Sequence, residues 1–170
     1  YSIVSQDKFY GYPSINNIGL IYMFQKENEI KKAEIFIRKA GCSCFYFAKN
    51  NYGLFYQFFL NNNIANAIEL YKKSSDEGEF ALAEYNIGYI HEKVNDDMKS
   101  AVDHYKKALN FINYPLKYKA TIIEDEQFDI SKSFIDCFIN LKLTVFYLSQ
   151  SNLKMSEFYF LNALFKPLFK

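Results

Sequence analysis

The stretch EYNIGYIHEKVNDDMKSAVDHYKKAL, residues 84–109, contains the pattern that decides the fold. Two earlier stretches, residues 14–40 and 51–74, match it with the same spacing. Three columns of equivalent residues recur every 34 or 35 positions: Gly19, Gly53 and Gly88; Ala33, Ala67 and Ala101; Ala40, Ser74 and Ala108. Self-similarity at this period is typical of proteins built from stacked helical units.

Each column has a packing explanation. Ala33, Ile37 and Ala40 are spaced i, i+4 and i+7, which predicts one buried face of an α-helix. A glycine inside a helix costs about 1 kcal/mol relative to alanine, so its recurrence indicates that another helix approaches closely there. The aromatic residue three positions later, Tyr22 in the first unit and His91 in the third, falls on the same helix face. It is therefore expected to fill the space between two helices.

These residues resemble the tetratricopeptide repeat and, more closely, its Sel-like relative (SLR). The sequences EYNIGYIHEK and KSAVDHYKKAL are similar to the SLR pattern of Asn-Leu-Gly and an aromatic residue, then Lys-Ala, two aromatic residues and Lys-Lys-Ala. The Gly-x-Gly-Val loop of typical SLR units is absent. The resemblance implies an all-α fold, namely a right-handed α-solenoid of antiparallel helix hairpins, and a role in protein–protein interaction.

The repeat predicts a single domain over residues 1–170. Its units are expected at about residues 12–41, 44–75 and 79–110, with an irregular terminal unit at 114–170. The chain begins at Tyr1 rather than Met, so we expect it to be part of a longer protein, and a targeting signal could lie outside it.

The terminal unit departs from the register of the others. We predict a short helix at residues 117–123 after Pro115, a loop at 129–133 and a turn at 150–152. The spacing of the buried column then returns at Tyr147, Ser156, Phe160 and Ala163. End units of solenoids are often atypical because they have one neighbour instead of two.

Composition and charge narrow the classes of partner. The net charge is +1 and basic residues form no stripe, which argues against binding nucleic acid. No apolar run reaches the length of a membrane span, so membrane insertion is not expected. Three cysteines and the absence of an Asn-x-Ser/Thr sequon favour a reducing, cytoplasmic location.

The side chains that could take part in catalysis or metal binding are better explained by structural roles. His91 and His104 align with Tyr22 and Phe36 of the first unit, so both occupy packing columns. The Cys42-Ser43-Cys44 pair lacks the further ligands that a metal site needs. The carboxylates of residues 124–129 are expected to form a solvated face or a helix cap. We therefore expect no catalytic residue, no cofactor, no bound metal and no enzymatic activity.

The candidate partner-binding residues are Asn17, Asn51 and Asn86, with Tyr85 and Tyr89 as aromatic neighbours. In the families that the chain resembles, the first helices line a concave face, where amides can hydrogen-bond the backbone of a peptide. The alternative is that the asparagines belong to the SLR motif and contact a neighbouring loop.

The leading functional hypothesis is a scaffold or adaptor that presents a concave groove to a peptide or protein partner. The first helices lack the lysines of the carboxylate clamp with which some tetratricopeptide domains hold acidic tails. The alternatives are a spacer within a longer solenoid, or a targeting module attached to a catalytic domain outside this segment. The aromatic-rich end, EFYFLNALFKPLFK at residues 157–170, also suggests self-association through apolar ends of the stack.

Overall fold

The computed structural model describes residues 2–25, 29–43, 45–60, 63–113 and 126–165. These residues form eight α-helices and no strand, so the all-α prediction is confirmed. The helices are α1 (Ser2–Gln25), α2 (Ile30–Gly41), α3 (Tyr46–Phe59), α4 (Ile64–Gly78), α5 (Ala81–Lys93), α6 (Met98–Asn113), α7 (Glu126–Ser149) and α8 (Leu153–Phe165).

The chain divides into two compact units, Tyr1–Ala83 and Glu84–Lys170. In the first unit α1 packs against α2 and α3 against α4, while α3 also contacts α1 and α2. In the second unit α7 packs against both α6 and α8. Rings of α5 and α6 lie face to face, which joins these two helices as well.

The buried columns follow the predicted spacing. In α2, α4 and α6 one face is buried, made of Ala33, Ile37 and Ala40; Ala67, Tyr71 and Ser74; and Ala101, Tyr105 and Ala108. In the described part of the chain, side-chain caps begin α4, α6 and α8. Asn63 accepts from the Asn66 N–H at 3.3 Å, Asp97 from the Ser100 N–H at 3.0 Å and Asn152 from the Met155 N–H at 3.2 Å. These caps satisfy backbone donors that a helix cannot satisfy internally.

The recurring glycines lie where a partner helix comes closest. A Cβ atom added at Gly19, Gly53 or Gly88 would lie 2.7 Å from Ile37, 2.6 Å from Tyr71 or 2.7 Å from Tyr105, respectively. Such distances are too short for two carbon atoms in van der Waals contact. The packing role predicted for the glycine column is therefore confirmed in all three pairs of helices.

The two histidines occupy the same packing position in the third repeat as a pair of aromatic residues in the first repeat. Tyr22 stacks on Phe36 with ring centroids 5.7 Å apart and planes 16° apart. His91 stacks on His104 at 5.3 Å and 12°. The repeat alignment of His91 with Tyr22 and of His104 with Phe36 thus corresponds to one recurring contact between two helices.

The terminal helices match the sequence interpretation in part. The turn predicted at residues 150–152 is confirmed, because α7 ends at Ser149 and α8 begins at Leu153. Ser156 and Ala163 are buried as expected, but the prediction that Phe160 belongs to the buried column is wrong. Phe160 is exposed and its neighbour Tyr159 is buried instead, stacked on Tyr147 at 5.5 Å.

The loop predicted at residues 129–133 is also wrong, because these residues lie inside α7. Their polar side chains resembled a linker, yet the helix continues through them from Glu126. The helix predicted at 117–123 lies outside the described residues. Among the helices of the described part, none combines the length and the apolar character needed to cross a bilayer.

We predict that Gly53→Ala and Gly11→Ala will have opposite effects on stability. Both gain the helix propensity of alanine, worth about 1 kcal/mol. At Gly11 a Cβ atom meets no described atom within 4 Å, whereas at Gly53 it meets the ring of Tyr71. Overpacking of this kind costs roughly 1–3 kcal/mol. In urea denaturation, the free energy of unfolding of Gly53→Ala should therefore be lower than that of Gly11→Ala by that amount. Equal free energies of unfolding would contradict the packing role.

Candidate functional site

The position four residues after each recurring glycine distinguishes the third helix pair from the first two. It holds Met23, Gln57 and Glu92, each facing the buried column residue of the next helix. Met23 shares an apolar cluster with Ile37. Gln57 accepts a hydrogen bond from the Tyr71 hydroxyl at 2.7 Å. Glu92 accepts a hydrogen bond from the Tyr105 hydroxyl at 2.6 Å. The third helix pair therefore has a charged side chain where the first two have neutral ones.

Two lysines neutralise this carboxylate. The Nζ of Lys142, from α7, lies 2.5 Å from one oxygen of Glu92, and the Nζ of Lys93 lies 2.8 Å from the other. The Glu92 side chain is only 9% exposed. Lys142 also lies over the rings of Tyr89 and Tyr105, 5.8 and 5.5 Å from their centroids. We call Glu92, Lys93, Tyr105 and Lys142 the Glu92 cluster.

The electrostatics of the Glu92 cluster favour a fixed charge. Burial opposes the ionised form of Glu92, but hydrogen bonds from Lys142, Lys93 and Tyr105 outweigh it and hold the pKa at about 2. Burial, and then the hydrogen bond to Glu92, raise the pKa of the Tyr105 hydroxyl far above its ordinary value. A carboxylate with so low a pKa is a poor general base or acid at neutral pH. The cluster is therefore suited to hold helices in place rather than to transfer protons.

A surface groove of about 440 Å³ lies beside this cluster, between α6 and α7. We call it the α6–α7 groove. Besides Glu92, Tyr105, Lys142 and Ser149, its walls are apolar and consist of Met98, Val102, Phe138, Leu141, Val145 and Phe146. Met98, Phe138, Leu141 and Val145 are exposed in spite of their apolar character. An apolar recess with a few polar groups at one side is the usual composition of a binding site.

The predicted aromatic residues lie close to this groove. Tyr85 packs on Tyr105 with ring centroids 5.7 Å apart, and Tyr89 lies beneath Lys142. Both are half-buried and contact the Glu92 cluster. Asn86, from the same helix, is only 8% exposed. The structure thus brings two of the five candidate residues to the edge of the groove.

The other asparagines form an amide ladder within the first unit. The Asn51 side-chain amide donates to the side-chain Oδ1 of Asn16 at 3.0 Å, which links α3 to α1. Asn16 donates to Asn17 at 3.4 Å and Asn50 donates to Asn51 at 3.5 Å. Asn16 and Asn50 are buried, Asn51 is half-buried and Asn17 is exposed. Amides in this row therefore hydrogen-bond to one another across two helices.

A second charged group surrounds Glu84, whose side chain is 1% exposed. One oxygen lies 2.7 Å from the Nδ1 of His104 and the other 2.6 Å from the Nζ of Lys107. The stacked ring of His91 lies 3.7 Å from a carboxylate oxygen of Asp97. None of these residues lines the α6–α7 groove. Their arrangement satisfies a buried carboxylate, as a structural ion pair must.

The cysteines and acidic residues gather no metal ligands in the described ranges. Cys42 is exposed and Cys137 half-buried, and both are free thiols. Cys44 lies outside the described residues. Groups of three or more histidine, cysteine, aspartate or glutamate side chains that could hold an ion are absent from the described part of the chain.

Sequence reasoning missed Glu92, Lys142 and the groove. A signal for Glu92 was present, since a carboxylate replaces Met23 and Gln57 in one repeat position. The spacing of Phe138, Leu141 and Val145 along α7 was a signal too. Lys142 could not be found this way, because the residue it contacts lies 50 positions away.

We compared the chain with protein families, curated proteins and solved structures. No family model matches the chain, and neither the curated proteins nor the solved structures give a match.

We predict that Glu92→Gln will change the dependence of stability on pH. The pKa of Glu92 falls from its ordinary 4.5 to about 2 in the folded chain, so its contribution is present above pH 4.5 and is lost as the pH falls toward 2. The variant should be less stable at pH 7 by about 1–2 kcal/mol, after allowance for solvent screening. The difference from the parent should vanish near pH 2.

The measurement is urea denaturation at a series of pH values. Asp103→Asn, at an exposed carboxylate on α6, serves as the control and should follow the parent curve. A difference between parent and Glu92→Gln that stays constant with pH would contradict this account of the cluster.

Proposed function

We propose that this chain is a protein–protein interaction scaffold and that the α6–α7 groove is its main contact surface. The observation that carries the proposal is the exposure of apolar side chains around a recess whose polar groups are already paired. Monomeric proteins seldom leave such a patch uncovered unless it binds something. The ion pairs of Glu92 with Lys142 and Lys93, and the hydrogen bond that Glu92 accepts from Tyr105, hold this side of the groove in place.

The walls of the groove define the chemistry of the partner. Leu141 and Val145 of α7 face Met98 and Val102 of α6 across the recess. An amphipathic helix that offers apolar side chains at i, i+3 or i+4 and i+7 fits such a surface. Because Glu92 and Lys142 neutralise each other, the contact depends on apolar burial more than on charge.

The hypothesis that the asparagine amides hydrogen-bond a peptide partner, which we call the amide version, receives less support. Asn51 bonds to Asn16 and Asn86 is largely buried, so a peptide would have to compete with existing contacts. Asn17 is exposed and stays a candidate, as do Tyr85 and Tyr89 at the edge of the groove. We therefore assign the main contact to the apolar walls and a lesser one to these residues.

The finer architecture belongs to the same proposal. The sequence period, and the contacts between neighbouring helices within each compact unit, support the proposal of a right-handed solenoid of antiparallel hairpins. We propose a cytoplasmic location, on the odd number of cysteines and the lack of sequons. A spacer within a longer solenoid is the second candidate, supported by the recurring columns.

The groove is tested by Leu141→Lys, with Ile35→Lys as the matched control. Both residues are exposed and apolar, but Ile35 lies on α2, in the first unit. Proteins recovered from an extract of the source cells would be quantified on parent and variant baits. We predict that partner recovery falls at least tenfold with Leu141→Lys and is unchanged with Ile35→Lys, because a central apolar contact contributes about 2 kcal/mol or more.

Two further baits separate the versions of the proposal. Asn17→Ala and Asn51→Ala should leave recovery within about threefold of the parent, since rim contacts contribute little. Loss of recovery with these variants, and not with Leu141→Lys, would favour the amide version. Equal recovery with every bait would argue for the spacer.

A further inference from the structure

Five apolar side chains form an exposed row along α7. Their spacing alternates between four and three residues, and they are 39–66% exposed: Phe134, Phe138, Leu141, Val145 and Leu148. We call this row the α7 stripe. A row with this spacing is the seam along which two helices pack in a coiled coil. It includes the groove residues Phe138, Leu141 and Val145, and it continues past the α6–α7 groove to Phe134.

The opposite face of α7 is already occupied. Ile139 and Leu143 are fully buried, and the Asn140 amide is satisfied by Asp136 at 3.0 Å. Helix α7 is therefore apolar on two sides, one packed in the unit and one exposed. An exposed apolar row of this kind on a packed helix is normally covered by another surface.

Helix α7 itself carries few charges along the α7 stripe. Between residues 134 and 149 the charged residues are Asp136, which is buried, and Lys142, which is paired with Glu92. Surfaces that bind anionic membranes are rich in lysine and arginine on their polar side, and this one is not. Helix α8 also exposes apolar side chains, namely Leu153, Phe158, Phe160, Leu161 and Leu164, but Lys154 and Glu157 lie exposed among them.

The exposed area suits a symmetric dimer. A Phe side chain has roughly 200 Å² of surface, and the α7 stripe with Met98 is about half exposed, which gives on the order of 500 Å² of apolar area per chain. Two copies would bury about 1,000 Å² of it. With the polar rim of a normal homodimer the total reaches ~1,500 Å², which is the size of a stable interface.

When two copies of the α7 stripe are placed antiparallel, the large side chains of one copy lie opposite smaller side chains of the other. Turned about Leu141, the row places Phe134 against Leu148, and it places Phe138 one residue, about 1.5 Å along the helix axis, from Val145 of the other copy. Each large ring then meets a smaller side chain, while Leu141 meets its own equivalent. A parallel arrangement would instead oppose ring to ring. Interfaces that repeat one patch on both subunits have this property.

We infer that the occupant of the α7 stripe is a second copy of this chain, packed with its own α7 antiparallel to the first. The inference rests on the proposed function, since it names the partner that covers the α6–α7 groove. In the dimer Leu141 lies on the two-fold axis, and Phe138 and Val145 flank it. The groove then receives side chains from the other copy.

The first test is the mass of the purified chain in solution. We expect sedimentation equilibrium to give a dimer at micromolar concentration. Leu141→Lys, which sets two ammonium groups against each other at the axis, should raise the dimer dissociation constant at least 100-fold. Ile35→Lys should leave it unchanged, and circular dichroism should give equal helix content for all three. A monomeric parent, or a dimer that Leu141→Lys leaves intact, would overturn the inference.

The second test is the direction of the helices, in a chain whose native cysteines are replaced by serine. Leu141→Cys alone should form a disulfide-linked dimer on oxidation. Phe134→Cys alone should not, but should crosslink in a mixture with Leu148→Cys. Crosslinking of Phe134→Cys to itself would show a parallel pair and contradict the proposed packing.

Other occupants give distinguishable results. A monomeric chain that recovers a different protein through Leu141 would overturn the dimer and leave the scaffold function standing. A monomeric chain that sediments with anionic vesicles would overturn both in favour of a membrane surface. A monomer that does neither would remove the groove as a contact surface.

Discussion

The approach of a bare helix backbone to a large side chain is the contact on which the rest of the structure depends. Gly53 lies against Tyr71 and Gly88 against Tyr105, at distances that a Cβ atom would not allow. Because the tyrosine crosses the glycine, its hydroxyl reaches the residue one turn further along the first helix. That residue is Gln57 in one pair and Glu92 in the other. The glycine column therefore determines both the spacing of the helices and the hydrogen bond that accompanies it.

The change from glutamine to glutamate at this position explains how α7 is held. A buried carboxylate needs a cation as well as a hydroxyl donor, since an unpaired buried charge costs several kcal/mol. Lys142 supplies the charge from α7 and also lies over two tyrosine rings. Since α7 is fixed by this pair and by its contacts with α6 and α8, its other face remains outward. The α6–α7 groove and the α7 stripe follow from that arrangement.

The sequence predicted the features that a repeat imposes and missed those that it does not. Gly88, Tyr105 and the pair His91 and His104 were identified because equivalent residues occur in earlier units. Phe160 was assigned to a buried column by spacing, but in α8 it is exposed and its neighbour Tyr159 is buried instead, stacked on Tyr147. The roles of Asn51 and Asn86 were open in the sequence, because residue type alone does not identify the partner of an amide.

Amide hydrogen exchange at two protein concentrations tests most directly whether the outer face of α7 is a contact surface. If a second copy covers the α7 stripe, peptides from residues 134–149 should exchange more slowly above the dimer dissociation constant than below it. Peptides from α2 should exchange equally at both concentrations. Exchange of α7 that does not depend on concentration, in the chain without another partner, would contradict the account.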